Sequence, residues 1–225
     1  MKRKSNIHLI AGIAVFSALA VVVALICQII PNISGFLSLD AKDAVIAMAS
    51  FIYGPASAVV IAFLSALIEA ITFSTTGWYG FIMNFASSAT FSLAASLIYK
   101  KHKTLNGALV GFLVAICLTT GIMLVLNYAV TPLYLVYYGF MPSNDVARGF
   151  VVDMLPKVLL PFNFAKTLLN SALAMMLYKP LSSAMSHIGI GERKMGMKFN
   201  KNSVIILIVG GICLALALTI LFMIP

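Results

Sequence analysis

Long apolar runs are the feature of this sequence that most constrains its fold. A helix needs about 20 apolar residues to cross the hydrocarbon of a bilayer. Five runs are long enough to do so: 7–30, 81–99, 105–128, 162–178 and 204–224. Hydrophobic residues make up 62% of the chain and charged residues 9%, where soluble domains average about 45–50% and about 25%. The sequence therefore predicts an all-α integral membrane protein and excludes a soluble globular domain.

A further apolar stretch, 44–73, is interrupted by Gly54 and Pro55. The interruption divides it into a short piece, 44–53, and a longer one, 57–73, which we interpret as a hairpin of two helices. Short or interrupted helices in transporters often lie where the backbone lines a substrate cavity. This hairpin therefore indicates where a binding site could lie.

The chain divides into three predicted parts. Residues 1–185 form a six-helix membrane domain, 186–202 a basic cytoplasmic linker, and 203–225 an additional C-terminal transmembrane helix. The basic N-terminus followed by an apolar run resembles a signal peptide, but the run continues to Ile30. That is longer than the 7–15 residues of a signal-peptide core, so a retained first helix is the better interpretation.

The charges of the chain report its orientation. Fifteen Lys and Arg stand against six Asp and Glu, and because long apolar runs separate them, they do not predict a nucleic-acid-binding groove. Basic residues are enriched in cytoplasmic loops. A cytoplasmic N-terminus places these basic residues inside: Lys2, Arg3, Lys4, Lys100, Lys101, Lys103, Lys179, Arg193, Lys194, Lys198 and Lys201. The sequence thus predicts a multi-pass protein of the plasma membrane, embedded in the lipid bilayer, with its N-terminus in the cytoplasm.

Three connections face outward in this topology: 31–43, 74–80 and 129–160. The third is long and contains several prolines, glycines and tyrosines. Connections of this length are typical of lids, binding loops or disordered segments. The apolar stretch 150–160 argues against disorder, so we expect a lid or a binding loop.

Motifs for catalysis are missing from the sequence. It contains no HExxH, GxSxG or GxxxxGK[ST] pattern, and such motifs carry the common nucleophiles, zinc ligands and phosphate cradles. Cys27, Cys117 and Cys213 all lie in apolar runs without a CxxC pair, so neither a disulfide nor a metal site is indicated. We expect no enzymatic activity and no catalytic cofactor, and any ATP-driven work must come from another polypeptide.

Polar residues inside the apolar runs are the candidate binding residues. A charge at the centre of a membrane helix costs about 2.5–3.5 kcal/mol, so such residues tend to face a cavity or a partner. Asn163, Lys166 and Asn170 share one face of a helix by their spacing. In the alternative interpretation, Asn163 caps the helix, Lys166 extends to the headgroups, and Asn170 forms an interhelical hydrogen bond.

Two more asparagines, Asn84 and Asn127, also fall near the outer ends of their spans. Together with the polar face just described they form a candidate ligand site. Asp40 and Asp43 precede the short helix, where carboxylates either cap a helix or contact the ligand. We include Asp40 among the candidate ligand residues. Glu69 has no obvious partner in the sequence.

Three segments carry a resemblance to a known family. They are Trp78-Tyr79-Gly80-Phe81-Ile82-Met83-Asn84-Phe85, the stretch 125–134 with Asn127 and Tyr134, and Pro161-Phe162-Asn163 followed by Lys166. The pattern resembles the substrate-binding S components of energy-coupling factor (ECF) vitamin transporters, and among them most resembles the riboflavin-specific members. The resemblance runs from about residue 4 to residue 180. The C-terminal helix lies outside it.

The resemblance implies a six-helix bundle that captures a vitamin from outside the cell. Asn127, Asn163 and Lys166 match the flavin-binding positions of the family. Ala14 and Ala18 match the surface that docks on the transmembrane coupling subunit EcfT, which two ATPase subunits drive. Riboflavin, with FMN as a further candidate, is therefore the expected ligand.

The chemistry of these residues agrees with a flavin. The ring has a uracil-like edge of carbonyls flanking an N–H, which carboxamides match as donors and acceptors, and Lys166 can donate to a carbonyl or to the ribityl hydroxyls. Trp78 and Tyr134 are expected to cover the ring face. Two alternatives stay open, because a fold does not fix the ligand: an S component for another vitamin or precursor, such as pantothenate or a pyrimidine, and a membrane scaffold without a ligand.

Overall fold

Helices account for nearly all of the structure. The computed structural model describes residues 2–33, 35–102, 104–187 and 201–224, and in these ranges it contains no strand beyond a single bridge between Ile33 and Leu37. The helices are α1 (Lys2–Cys27), α2 (Lys42–Tyr53), α3 (Pro55–Thr72), α4 (Gly77–Lys101), α5 (Leu105–Tyr137), α6 (Asn144–Met154), α7 (Leu160–His187) and α8 (Lys201–Met223). The predicted all-α membrane class is confirmed.

Six stretches of the described chain are long and apolar enough to cross a membrane: Ile7–Cys27, Pro55–Thr72, Gly77–Lys101, Asn106–Tyr137, Asn144–Leu177 and Val204–Met223. Helix α2 is the exception. It has 12 residues, which span about 18 Å at 1.5 Å per residue, well short of the about 30 Å hydrocarbon core. Every residue from Lys42 to Ser50 is buried, so α2 is enclosed by the other helices.

The turn between α2 and α3 follows from two residues. Gly54 adopts φ 98°, a value that glycine reaches without the steric cost other residues meet. Pro55 then occupies the first position of α3, where its missing N–H is harmless. The predicted hairpin with a short first helix is therefore present, and α1 packs closely on its end: a Cβ on Gly12 would lie 2.3 Å from the ring of Tyr53.

The main apolar core surrounds α2. Phe16, Ile46, Ile61, Phe91 and Ala115 come from five different helices, and each is at most 1% exposed. Helix α2, buried from Lys42 to Ser50, contacts α1, α3, α4 and α7. Its N-terminus and the residues just before it are therefore held among the surrounding helices.

The prediction of a long outer loop over 129–160 is wrong. Helix α5 continues to Tyr137, α6 follows at Asn144, and a π-helical turn, Leu155–Leu159, leads directly into α7. Pro132 lies inside α5, where it removes one backbone donor. Membrane helices tolerate such a proline because neighbouring groups satisfy the freed carbonyl.

Packing against the end of α5 explains why residues 144–159 are helical. Val151 and Leu159 are 0% exposed and pack in one cluster with Leu135, so the apolar residues of the expected loop bury themselves on the end of α5. The Ser143 hydroxyl accepts a hydrogen bond from the N–H of Val146 at 3.4 Å and caps α6. This connection is a short helix packed on the bundle.

Helix α8 packs along α7. Ala217 is 0% exposed in a cluster with Leu39 and Leu169, and a Cβ on Gly210 would lie 2.6 Å from the side chain of Met176. The C-terminal half of α8 therefore contacts the connection between α1 and α2 as well as α7. Residues 188–200, most of the predicted linker 186–202, lie outside the described residues.

Candidate functional site

A cavity of about 140 Å³ opens among the helices at one end of the bundle. We call this end, at which residues 28–33, 35–41, 73–76 and 138–143 lie, the outer end, because the topology predicted from the sequence places these connections outside. The predicted ligand residues that line the cavity are Asn84, Asn127, Tyr134, Asn163 and Lys166. Residues far apart in the sequence thus meet at one site.

One wall of the cavity carries two buried carboxamides, Asn127 on α5 and Asn163 on α7, which are 2% and 4% exposed. Each donates an N–H to the carbonyl four residues earlier in its own helix, Met123 and Leu159, both at 2.7 Å. A carboxamide has two N–H donors, so each keeps a second one for a ligand. Asn163 lies inside the helix and does not cap it.

Lys166 lies between these carboxamides and the first connection. It is 7% exposed, and its Nζ donates to Asp40 Oδ2 at 2.8 Å and to the Ser38 carbonyl at 3.5 Å. The side chain therefore points into the protein, which rules out the interpretation in which it extends to the headgroups. A lysine ammonium has three donors, so one stays available to a ligand carbonyl.

Asp40 holds Lys166 from behind the cavity wall. Burial alone would raise the pKa of the Asp40 carboxyl, but the charges of Lys166 and Lys42 outweigh it and hold the pKa below its usual value. Asp40 is not among the residues that line the cavity. Its position supports a positioning role, and direct contact with a ligand stays a prediction.

Asn170 fixes the segment that carries Asp40. Its Nδ2 donates to the Asp40 carbonyl at 2.9 Å, and its Oδ1 accepts from the N–H of Ala44 at 2.8 Å. These are the interhelical hydrogen bonds that one sequence interpretation expected. Helix α7 thereby contributes Asn163 and Lys166 to the cavity and, through Asn170, a hydrogen bond to the N-terminus of α2.

The part of the cavity wall formed by α3 and α4 contains a charged residue, Glu69, that was not among the predicted ligand residues. Glu69 Oε1 accepts from Asn84 Nδ2 at 2.7 Å, and Glu69 Oε2 accepts from the Lys42 ammonium. Lys42 is 1% exposed, and its Nζ also lies 4.0 Å from Asp40 Oδ2. An acid inside an apolar run was the available signal, but its partner, 27 residues away, follows only from the fold.

Aromatic rings complete the cavity. Phe36, Tyr79 and Tyr134 line it, with ring centroids 6.4 Å apart for Phe36 and Tyr134 and 6.1 Å apart for Tyr79 and Tyr134. Trp78 does not line it: the indole is 69% exposed and packs on Phe81. The position of Trp78 does not support the predicted ring contact, and its helical neighbour Tyr79 faces the cavity in its place.

The predicted docking residues lie on a separate surface. Ala14 and Ala18 are exposed on α1, whereas Phe16 and Ser17 between them are buried. Small exposed residues one turn apart let another helix approach closely. Their role in docking stays a prediction.

The chain belongs to the substrate-specific components of ECF transporters. The model of that family, described as ECF transporter, substrate-specific component, matches residues 8–181. Such a component is part of a multi-pass membrane transporter and is not an enzyme. Membership also implies association with the transmembrane and ATPase modules of an ECF transporter.

Two curated relatives carry the same name. The chain is 29% identical over 177 residues to the riboflavin transporter RibU of Staphylococcus aureus (strain TCH60), an alignment that covers 78% of this chain and 91% of that protein. It is 26% identical over 183 residues to the riboflavin transporter RibU of Streptococcus thermophilus (strain ATCC BAA-250 / LMG 18311), covering 80% and 85%. These proteins are similar to this chain over nearly their whole length.

A solved structure of the S component of a bacterial ECF transporter is similar as well. It matches this chain with a TM-score of 0.65 at 29% identity. The match covers 80% of this chain and 98% of that chain. The bundle is therefore that of an S component. Because the family model ends at residue 181, α8 lies outside the region that this model matches.

Proposed function

We propose that this protein is the substrate-binding subunit of an ECF importer and takes up riboflavin from outside the cell, with FMN as a second ligand of the same site. The observation that carries the proposal is the cavity wall formed by Asn127, Asn163 and Lys166. Two carboxamides and one ammonium, all buried, stand there beside aromatic rings.

The donors of this wall match the pyrimidine edge of a flavin. That edge presents two carbonyl oxygens on either side of an N–H. The free N–H groups of the two asparagines and the Lys166 ammonium can donate to the carbonyls, and Asn163 Oδ1, which accepts no hydrogen bond within the described residues, can accept from the N–H. The rings of Phe36, Tyr79 and Tyr134 provide an apolar surface for the ring face.

The relatives support the same ligand. Both curated relatives are named riboflavin transporters, and the family resemblance stated from the sequence rests on segments that contain Asn127, Asn163 and Lys166. A pantothenate or pyrimidine carrier would share the fold without needing three aromatic rings at the cavity. The ring surface therefore favours the flavin over those alternatives.

The energy for uptake comes from other subunits in this proposal. The sequence contains no phosphate-binding GxxxxGK[ST] loop, so ATP hydrolysis belongs to the two ATPase subunits, which act through the transmembrane coupling subunit. The N-terminus lies in the cytoplasm, as the distribution of basic residues indicates. Ala14 and Ala18 on α1 form the docking surface for the coupling subunit.

A ligand panel tests the proposal. The purified protein in detergent is heated alone and with riboflavin, FMN, pantothenate or uridine, and its unfolding temperature is measured. A ligand at 100 times its Kd stabilises the folded state by about 2.7 kcal/mol, so riboflavin should raise the unfolding temperature by several degrees. A rise with pantothenate or uridine and none with riboflavin would replace the flavin with that ligand. No rise with any of them would favour a scaffold.

A further inference from the structure

Helix α8 has no part in the proposed function as described so far. It lies outside the region that the family model matches, and none of the described residues of Lys201–Met223 lines the cavity. We propose that α8 positions the connection between α1 and α2 for ligand binding, through Leu214, Ala217 and Leu221. The inference rests on the proposed function, because it concerns the affinity of the same site.

Two apolar clusters join α8 to this connection. Ala217 is 0% exposed and packs in one cluster with Leu39 of the connection, and Leu214 and Leu221 pack against the same cluster. Leu221 also packs against the cluster that contains Leu37. Both leucines of the connection are thus buried in clusters to which the C-terminal half of α8 contributes.

The same connection forms part of the ligand site. Phe36, Leu37 and Ser38 line the cavity. The Ser38 carbonyl and the Asp40 carboxylate accept hydrogen bonds from the Lys166 ammonium, at 3.5 Å and 2.8 Å. Residues 38–41 belong to no helix, so helical hydrogen bonds do not fix their position. A displacement of the connection would therefore move cavity residues and the partners of Lys166 together.

Lipid in place of α8 would not hold the connection in the same way. Acyl chains are as apolar as leucine, so Leu37 and Leu39 gain little hydrophobic free energy by contacting a helix instead of lipid. A packed helix offers side chains in fixed positions, whereas acyl chains are mobile. Contact with α8 therefore acts mainly by restricting the motion of the connection.

This restriction should raise the affinity for the ligand. Ordering a flexible segment at a binding site costs free energy, and a segment that is already held in place avoids that cost. Residues that do not touch the ligand can change a binding equilibrium in this way. Leu214, Ala217 and Leu221 are therefore positioning residues of the site.

Leu221→Ala in the whole chain tests the inference. The Kd and the dissociation rate of riboflavin are measured by fluorescence quenching, and the unfolding temperature is measured without ligand. Ile206→Ala is the matched control, because Ile206 is also partly buried on α8 but packs against the main core around α2. None of the described residues of that core lines the cavity.

Both variants should lower the unfolding temperature by a similar amount, since each removes three carbons from a partly buried side chain of one helix. Only Leu221→Ala should weaken riboflavin binding, by about threefold to tenfold, mainly through faster dissociation. Ile206→Ala should bind riboflavin within about twofold of the wild type. Leu221→Met conserves the volume of the side chain and should restore the wild-type Kd.

Leu214→Ala takes the place of Leu221→Ala if the latter does not fold, because Leu214 packs against the same cluster as Leu39. A wild-type Kd in the tested leucine-to-alanine variant would overturn the positioning role, as would an equal loss of affinity in Ile206→Ala. Either result would leave the flavin function intact. A wild type that does not bind riboflavin would overturn the proposed function and this inference with it.

Discussion

Lys166 and Asp40 are 126 residues apart in the sequence, and they form a buried ion pair with Nζ and Oδ2 at 2.8 Å. The pair ties α7 to the connection that precedes α2. Because Lys166 also lines the cavity, as do Phe36, Leu37 and Ser38 of this connection, the same ammonium joins the ligand site to the connection. The structure of this connection and the binding of a ligand are therefore linked.

Removal of the ammonium should weaken binding. Lys166→Met keeps the length of the side chain and removes its charge, and a hydrogen bond from a charged group contributes about 1.5–3 kcal/mol. We expect the Kd for riboflavin to rise at least about tenfold, measured by fluorescence quenching. Lys157→Met, at an exposed position before α7, is the control and should bind as the wild type does. Equal Kd values for all three proteins would remove Lys166 from the site.

Asn170 should be needed for the stability of the α2 N-terminus. Asn170→Ala removes the acceptor of the Ala44 N–H and the donor to the Asp40 carbonyl. An unsatisfied buried group costs about 1–3 kcal/mol, so the unfolding temperature in detergent should fall by several degrees. Thr219→Ala removes an exposed hydroxyl that donates to the Ala215 carbonyl of its own helix and should leave the unfolding temperature unchanged. A similar temperature for both variants would show that Asn170 does not hold this connection.

Two glycines of α5 provide a test of the helix packing. A Cβ on Gly111 would lie 2.7 Å from the carbonyl oxygen of Ala95 on α4, whereas nothing lies within 4 Å of a Cβ on Gly121. Gly111→Ala should therefore destabilise the protein by about 1–3 kcal/mol, as overpacking does. Gly121→Ala should be neutral or slightly stabilising. Thermal unfolding of both variants measures the difference, and equal stability would contradict the described contact of α4 and α5.

The sequence predicted the three hydrogen-bonding residues of the cavity wall formed by α5 and α7. Asn127, Asn163 and Lys166 stood out because polar groups inside apolar runs are costly unless a cavity or partner receives them. The cost is a local property, so it can be read from the sequence. The hairpin at Gly54 was also predictable from a local signal, because adjacent glycine and proline residues mark an interruption between helices.

The cavity wall formed by α3 and α4, and the helical connection between α5 and α7, could not be predicted in this way. Glu69 forms an ion pair with Lys42. The two residues meet because the bundle encloses α2, and this contact does not follow from the local sequence. Helix α5 continues through Pro132 because tertiary packing of Leu135 and Val151 outweighs the local signal of the proline. Tyr79 lines the cavity and Trp78 does not. Which of two adjacent residues faces the cavity depends on how α4 is oriented about its axis, and a sequence pattern does not resolve this to one residue.

Docking and binding should be separable. Ala14 and Ala18 are exposed on α1, away from the residues that line the cavity. We expect Ala14→Trp and Ala18→Trp to bind riboflavin with the Kd of the wild type, yet to lose co-purification with the coupling subunit and uptake in cells. Leu113→Trp, at a position 63% exposed on α5, serves as the control and should keep both. Uptake that survives both alanine substitutions would place the docking surface elsewhere.

Riboflavin binding by the cavity is the property on which the proposed transport function depends. It is measured by titrating riboflavin fluorescence with the purified wild-type protein, after a visible absorption spectrum of the protein as isolated. We expect a yellow preparation and saturable quenching with a Kd in the nanomolar to low micromolar range, on the order of −8 to −12 kcal/mol. A colourless protein that does not quench added riboflavin would contradict the assignment of a flavin to this cavity.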